Sequence, residues 1–349
     1  MVNRTEEWIT EEAFVAGPVT LQDVADHAGV SRATASLVLR ETGRVSTQTR
    51  QRVTEAMSTL GYVYNRGAAS LRTQTANTIG VVVTHIANPF FGEVIHGLET
   101  GLTDSGYLPL LVNTDDDPVR QHDAIQKLRE HQVAGLALVP ATGTKPSLVD
   151  ELRAWKMEHV LVSRYIKDVE APYVGADDVV GGRLAATHLI EAHGCSSIAY
   201  LGGLPAIISR TDRTNGVKRA MARHGLDPSS LVDIPGAVTG ASGLELGQRL
   251  VASGPLPDGI ICHSDSVAFG LYRALRIHGL GTETRVIGYD NIGGAALWEP
   301  PLTSVATQGE ALGRRAARML LERIKEPGAP TSIDKTIPEL AVRQSCGCP

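Results

Sequence analysis

Two hydrophobic periodicities divide the chain. Short runs rich in β-branched residues recur over 79–83, 108–112, 136–139, 160–162, 198–201, 260–262 and 286–289. Stretches with helical spacing separate them, over 92–105, 118–132, 147–156, 179–193, 212–224, 241–253 and 266–278. Strand-length apolar runs alternating with helices predict βαβ units and parallel sheets covered on both faces. That many strands exceed one small sheet, so two doubly wound lobes are expected. Ligands of such sheets bind outside the carboxyl ends of the strands, here in a crevice between lobes.

Residues 20–64 read differently. They carry no strand signal and predict three short helices over 21–27, 32–40 and 49–60. Thr20, Ser31 and either Ser46 or Thr47 are the N-caps, and Gly29 and Gly61 are the breakers. Helices crossing closely at a large angle need a small residue at the crossing, which Ala25 supplies, and Gly29 allows the tight turn. Val30, Ala35 and Val38 then face inward with Val24 and Ala28 opposite, leaving Arg32, Ala33, Ser36 and Leu37 outward. This is the pattern of a helix-turn-helix whose second helix fits the DNA major groove; an ordinary helical hairpin is the plain alternative. The segment 65–78 is small and polar and reads as a linker. Residues 1–18 hold four glutamates and one arginine and read as a disordered acidic leader.

Charge changes the picture only when it is divided. The 349 residues carry a net charge of −5, which argues against a nucleic-acid partner. Residues 19–75, however, hold seven arginines against four acids, while 76–349 hold 25 basic and 30 acidic groups. The basic excess therefore sits in the segment that reads as a helix-turn-helix. Hydrophobic residues make up 42% of the chain, enough for a core, and no apolar run reaches the ~18 residues of a membrane span. The first residues lack a cationic start and an apolar stretch, so no secretory signal is expected and a cytoplasmic location is.

Signs of catalysis are weak. Asp115, Asp116 and Asp117 suggest a strand end and a helix start, where carboxylates favour the helix dipole, before a metal site. Gly181-Gly182 and Gly202-Gly203 do not make a phosphate loop, and no Gly-x-Ser-x-Gly elbow occurs. Cys195 and Cys262 read as core residues. Cys346 and Cys348 are one residue apart rather than two, with no second Cys/His pair in sequence and no metal-ligand spacing among the histidines, so they read as plain thiols. Neither an enzyme, a cofactor nor a metal is expected.

The motifs then become specific. In the head these are Asp23-Val24-Ala25, Ala28-Gly29-Val30-Ser31, Thr34, Val45-Ser46, Thr49-Arg50, Val53, Leu60-Gly61-Tyr62, Asn65 and Ala68 to Leu71. In the body they are Ile79-Gly80-Val81-Val82-Val83, Asn88-Pro89-Phe90-Phe91, Asn113-Thr114-Asp115, Gly288-Tyr289-Asp290, Pro300-Pro301-Leu302-Thr303 and Arg343 to Gly347. In this order, over about 330 residues, the chain resembles the LacI/GalR family of bacterial repressors. The resemblance implies an all-α helix-turn-helix head on two doubly wound parallel-sheet lobes, an α/β body like periplasmic sugar-binding proteins. It implies a homodimer on a near-palindromic double-stranded DNA operator, and a small-molecule effector, a sugar or related metabolite, between the lobes. The implied divisions are 19–64 for the head, 65–78 for hinge helix and linker, and 79–349 for the body. Within the body the first lobe takes 79–175 and 307–328, and the second 176–306 and 334–349.

The resemblance also implies roles. Thr20, Leu21, Ser31, Arg32, Ala33, Thr34, Ser36 and Leu37 face DNA, Arg50 and Asn65 contact phosphate, and Ala68 and Leu71 belong to the hinge, with Leu71 wedged into the minor groove. Leu37 stands where the family often has arginine, which predicts a different base at that position, unless Leu37 packs into the head's own core. For the effector the implied residues are Thr84, Asn88, Phe90, Phe91, Ser163, Arg164, Arg213, Ser264, Asp265, Asp290 and Thr307. One of the two phenylalanines is expected in the core, and Asp265 is expected either at the ligand or capping the helix after it. Ser264, Thr307 and His85 depart from the family's frequent Asn, Gln and Asp, so the usual effector does not carry over. Two rivals remain: a solute-binding protein without a DNA role, and a DNA-binding regulator with a degenerate cleft.

Overall fold

The computed structural model describes residues 19–63, 77–280 and 284–349. The chain parts into two compact units between Thr75 and Ala76. The leader and the candidate hinge residues Asn65, Ala68 and Leu71 lie outside the described residues.

Among the described residues the first unit holds three helices: α1 (Leu21–Ala28), α2 (Arg32–Leu39) and α3 (Thr47–Leu60). Thr20 and Asp23 form a capping box at α1, so the first amides of the helix find side-chain partners. Ser31 caps α2 and Ser46, rather than Thr47, caps α3. The core is Val24, Ala25, Ala28, Ala35, Val38, Val53 and Ala56. Such small side chains let the axes approach closely.

The second unit holds two six-stranded sheets. In the first lobe β1 (Thr78–Val83), β2 (Leu108–Asn113), β3 (Gly135–Leu138), β4 (Glu158–Val162), β5 (Tyr173–Ala176) and β11 (Ile333–Thr336) pair in the order β11-β5-β4-β3-β1-β2, all parallel. The strand period of two splits the buried residues between faces. Val81, Val83, Val160 and Val162 meet α4 (Pro89–Leu102) and α11 (Gly309–Lys325), whereas Val82, Leu136, Leu138 and Leu161 meet α5 (Pro118–Glu130) and α6 (Ser147–Ala154).

The second lobe repeats this plan. Strands β6 (Ile198–Leu201), β7 (Val232–Ile234), β8 (Gly259–Cys262), β9 (Arg285–Asp290), β10 (Thr303–Ala306) and β12 (Glu339–Ala341) run in the order β12-β10-β9-β8-β6-β7, with only β12 antiparallel. Tyr200, Ile261, Ile287 and Val305 pack toward α7 (Asp178–His193) and α8 (Ile208–Arg223). Ala199, Leu201, Ile260 and Val286 pack toward α9 (Gly240–Ala252) and α10 (Asp265–Ile277).

Three expectations change. Five strands (β5, β7, β10, β11 and β12) and α11 had no place in the hydrophobic pattern. The chain's last return also comes later than expected. β11 pairs with β5, Ile333 opposite Tyr173 and Thr336 opposite Ala176, so 334–336 belong to the first lobe and the second resumes with β12. Finally, α8 starts at Ile208, before Asp212, which brings Arg213 inside its second turn.

Candidate functional site

In the head, α2 turns a distinct surface outward. Ser31, Arg32, Ala33 and Leu37 are exposed, Thr34 and Ser36 are half-buried, and Thr20 is exposed. Leu37 is 38% exposed and outside the head's core, which removes the core-packing alternative. Ser31 Oγ accepts from the Thr34 amide at 3.1 Å, so the serine holds the start of the helix as well as facing outward. Ser36 Oγ accepts from the Arg40 guanidinium at 2.6 Å. Leu21 and Arg50 are half-buried.

In the body a cavity of about 210 Å³ lies between the lobes, at the carboxyl ends of the strands. From the first lobe come Thr84 after β1, Asn88, Phe90 and Phe91 at the start of α4, Asp115 and Asp116 after β2, and Ser163 and Arg164 after β4. From the second come Arg213 on α8, Thr239 before α9, His263 and Ser264 after β8, and Asp290 at the end of β9. The pleat explains this. A strand that is buried on both faces ends where its last residues leave the cover of the helices, and those residues line the crevice.

Two guanidiniums dominate the chemistry, Arg213 buried and Arg164 half-buried. Arg213 Nε donates to Asp178 Oδ1 at 2.8 Å, and its Nη1 donates to the His263 carbonyl at 2.6 Å. Its carbon stands 3.5 Å from the centre of the Tyr289 ring, and Asp290 Oδ1 is 3.9 Å from Nη2. The Tyr289 hydroxyl donates to the same Asp178 oxygen at 2.9 Å. The backbone is fixed too: a Cβ on Gly182 would fall 2.0 Å from the Arg213 carbonyl, so α7 and α8 touch as closely as they do only with glycine there. Across the crevice Arg164 Nη1 donates to Asp116 Oδ1 at 2.7 Å.

Burial sets the protonation states. It pushes the Asp290 carboxyl well above the usual carboxylate range, and Arg213 offsets only part of this. It holds the His263 imidazole well below its ordinary value, with Arg213 and Arg164 adding to the effect. The cavity therefore offers a neutral imidazole beside fixed cations. Four lining residues, Asp115, Asp116, Ser163 and Asp290, also hold positive φ, between 52° and 98°. Such strain collects where the chain must aim side chains at a ligand.

Nine of the sequence-predicted cleft residues meet at this cavity: Thr84, Asn88, Phe90, Phe91, Ser163, Arg164, Arg213, Ser264 and Asp290. The two phenylalanines pack edge to face, centroids 5.3 Å apart, and both are also in the lobe core. Asp265 does not reach the cavity. It accepts from Ser304 Oγ at 2.6 Å and the Ile292 amide at 2.9 Å, fully buried. Nor does it cap α10; Ser264 does. Thr307 is buried away from the lining, and its hydroxyl has no hydrogen-bond partner among the described residues. Sequence reasoning missed His263 and Thr239. Their position directly after a strand and directly before a helix was the available signal. It also read Asp116 as a terminus residue, whereas the structure gives that role to Asp117 and leaves Asp116 to hold Arg164.

Comparison with known proteins agrees with this fold. The profile of bacterial regulatory proteins of the lacI family matches residues 20–65, and that of the periplasmic binding protein-like domain matches 186–346. The HTH-type transcriptional repressor PurR of Photobacterium profundum is 32% identical over 338 residues, 93% of this chain and 98% of the relative. The Lac repressor dimer bound to operator and the anti-inducer ONPF superposes with a TM-score of 0.84 at 24% identity, over 95% of this chain and 99% of that one, a likeness of fold. The transcriptional regulator CelR in complex with cellobiose gives a TM-score of 0.70 at 29% identity, over 94% and 99%. With a helix-turn-helix head and a cleft between two parallel-sheet lobes, the chain belongs to the lacI family of bacterial regulatory proteins and is a DNA-binding transcriptional repressor with an effector-binding domain.

Proposed function

We propose that this repressor is governed by a sugar, or a compact hydroxylated relative, held between its lobes. The observation that carries the reading is the cavity itself, with guanidiniums reaching it from both sides and the edge-to-face phenylalanine pair at one wall. Arg213 supplies a planar donor fork suited to adjacent hydroxyls. Asp290 and Asn88 accept or donate according to the hydroxyl they meet, and the phenylalanine faces suit ring C–H groups. The cellobiose-bound relative CelR shows the fold in complex with a sugar.

The ligand acts by preferring one arrangement of the lobes, and its differential affinity sets how far the equilibrium moves. The Tyr165 hydroxyl, at 2.9 Å from Asp212 Oδ2, is a contact from lobe to lobe that such a shift remakes. The change reaches the head through the segment that contains Asn65, Ala68 and Leu71. Two chains pair through their bodies, so two heads read a near-palindromic operator. The protein works in the cytoplasm; among the described residues no helix is long and apolar enough to cross a membrane.

Calorimetric titration of the full chain with a panel of neutral mono- and disaccharides tests this reading. Saturable binding by one class, absent in Arg213→Ala, is the expected result. A flat response to the whole panel in a chain that binds DNA overturns it and leaves a regulator with a degenerate cleft. Leu71→Ala tests the hinge: it is expected to weaken operator binding, and binding indifferent to it contradicts a minor-groove wedge.

A further inference from the structure

The tail and the end of α7 meet far from the cleft chemistry. His188 and His193 on α7 and Cys346 and Cys348 at the C-terminus place one ligand atom each within 4.8 Å of one another. His188 Nε2 is 3.3 Å from Cys346 Sγ and 3.7 Å from Cys348 Sγ, and His193 Nε2 is 3.5 Å from Cys348 Sγ. The imidazole rings meet edge to face at 5.1 Å. This overturns the expectation that the cysteines have no Cys/His partners: the partners lie over 150 residues away along the chain.

We infer that these four side chains form a tetrahedral Cys₂His₂ site for a divalent zinc-class ion. With zinc–sulfur bonds of about 2.3 Å and zinc–nitrogen bonds of about 2.05 Å, tetrahedral angles put sulfur and nitrogen about 3.6 Å apart. The three sulfur–nitrogen separations fall on either side of that value. Mixed thiolate and imidazole donors select zinc over magnesium or calcium, and four protein ligands leave no open position, so the site is structural rather than catalytic.

The local structure is built to hold this arrangement. Five residues along a helix turn about 140°, so His188 and His193 meet through their side chains at the last turn of α7, which Gly194 ends in the left-handed conformation. Gly347, at φ 97°, turns the chain between the two cysteines, a conformation L side chains rarely adopt, and its α-carbon lies against the His193 ring and the Arg285 side chain. Thr303 Oγ1 donates to Cys346 Sγ at 3.1 Å, a contact a thiolate keeps and strengthens. In the metal-free thiol, Cys346 donates instead to the Arg343 carbonyl at 3.2 Å. The tail is anchored independently, since Ser345 Oγ donates to the Val286 carbonyl at 2.7 Å and accepts from the Thr303 amide at 2.7 Å. The ion would staple the last residues of the chain to the helix whose other end carries Asp178, the partner of Arg213.

Metal analysis of the full chain, purified and dialysed under reducing conditions, tests the site. About one zinc per chain is expected, and at least about a tenfold fall in the Cys346→Ser/Cys348→Ser and His188→Ala variants. His193→Cys, which keeps four ligands, should retain the metal. Cobalt loaded into the metal-free wild type should show the strong visible absorption of tetrahedral thiolate coordination. That spectrum decides the matter if the double variant does not fold. Zinc that survives loss of both cysteines, or a reduced wild type with neither zinc nor the cobalt spectrum, overturns the proposal.

Discussion

The head and the cleft expose their working residues in opposite ways. On α2 the outward set, Ser31, Arg32, Ala33 and Leu37, is exposed and mostly uncharged, and it stands on a core of alanines and valines. In the cleft Arg213, Asp290 and His263 are nearly or wholly buried and tied to one another or to fixed partners. The difference is energetic. An exposed side chain on the head loses little water on folding and contributes to DNA reading in increments. A buried charge has been desolvated during folding, so one missing partner leaves others uncompensated. Function should therefore fail gradually on the head's surface, abruptly in its core, and abruptly in the cleft.

Arg213→Ala should show the largest effect. Its partners Asp178 and the His263 carbonyl belong to the same chain, so truncation leaves them buried without their cation and costs about 3–5 kcal/mol of stability, read as a lower melting temperature, besides removing the donor that faces the ligand. Calorimetry should lose the sugar response in this variant while DNA affinity without ligand stays near wild type. Ala25→Leu is next. Ala25 is fully buried where α1 meets α2, and overpacking costs about 1–3 kcal/mol. In so small a head this should abolish operator binding and leave ligand binding by the body intact. Retained operator binding would mean the crossing has slack that the burial does not show.

A titration separates the lobes' buried acids from the surface. Burial pushes the Asp265 carboxyl up to about 7, although Ser304 and the Ile292 amide donate to it. The folded chain therefore holds a proton that the unfolded chain gives up near pH 4. Its contribution to stability is present at low pH and lost as pH rises from about 4 to about 7. Asp265→Asn should remove that slope, so the melting temperature of the variant should gain on wild type as pH is raised. The smallest effect is expected on the head. Leu37→Ala should relax preference at one base pair by about 1 kcal/mol and leave the rest of the site unchanged. Selection from random duplexes checks this, and a guanine favoured at that position by the wild type would contradict the apolar reading.

What the sequence made legible follows the same division. The head was readable almost to the residue, because capping, breakers and a short-range apolar face are local signals. In the body, β1 to β4, β6, β8 and β9 announce themselves as β-branched runs. The others do not. β7 (Val-Asp-Ile) and β11 (Ile-Asp-Lys-Thr) lie at sheet edges, are short and alternate with polar residues. α11 has an apolar face of Leu312, Ala316, Ala317 and Leu320, visible once the fold says that a helix must return there. Arg213 is legible from motif resemblance and Asp290 from its place after a β-branched run; His263 carries the same strand-end signal, whereas the convergence of His188 with Cys346 depends on the fold alone.

In each chain one cleft controls one head. This is tested most directly by fluorescence anisotropy of the full chain on a duplex from the DNA upstream of its own gene. The sugar bound in calorimetry is titrated into wild type and Arg213→Ala at fixed salt. The sugar should shift the wild-type dissociation constant at least about tenfold, a coupling of about 1.4 kcal/mol, and leave the variant's unchanged. Equal shifts in both proteins, or none in a wild type shown to bind the sugar, would contradict it.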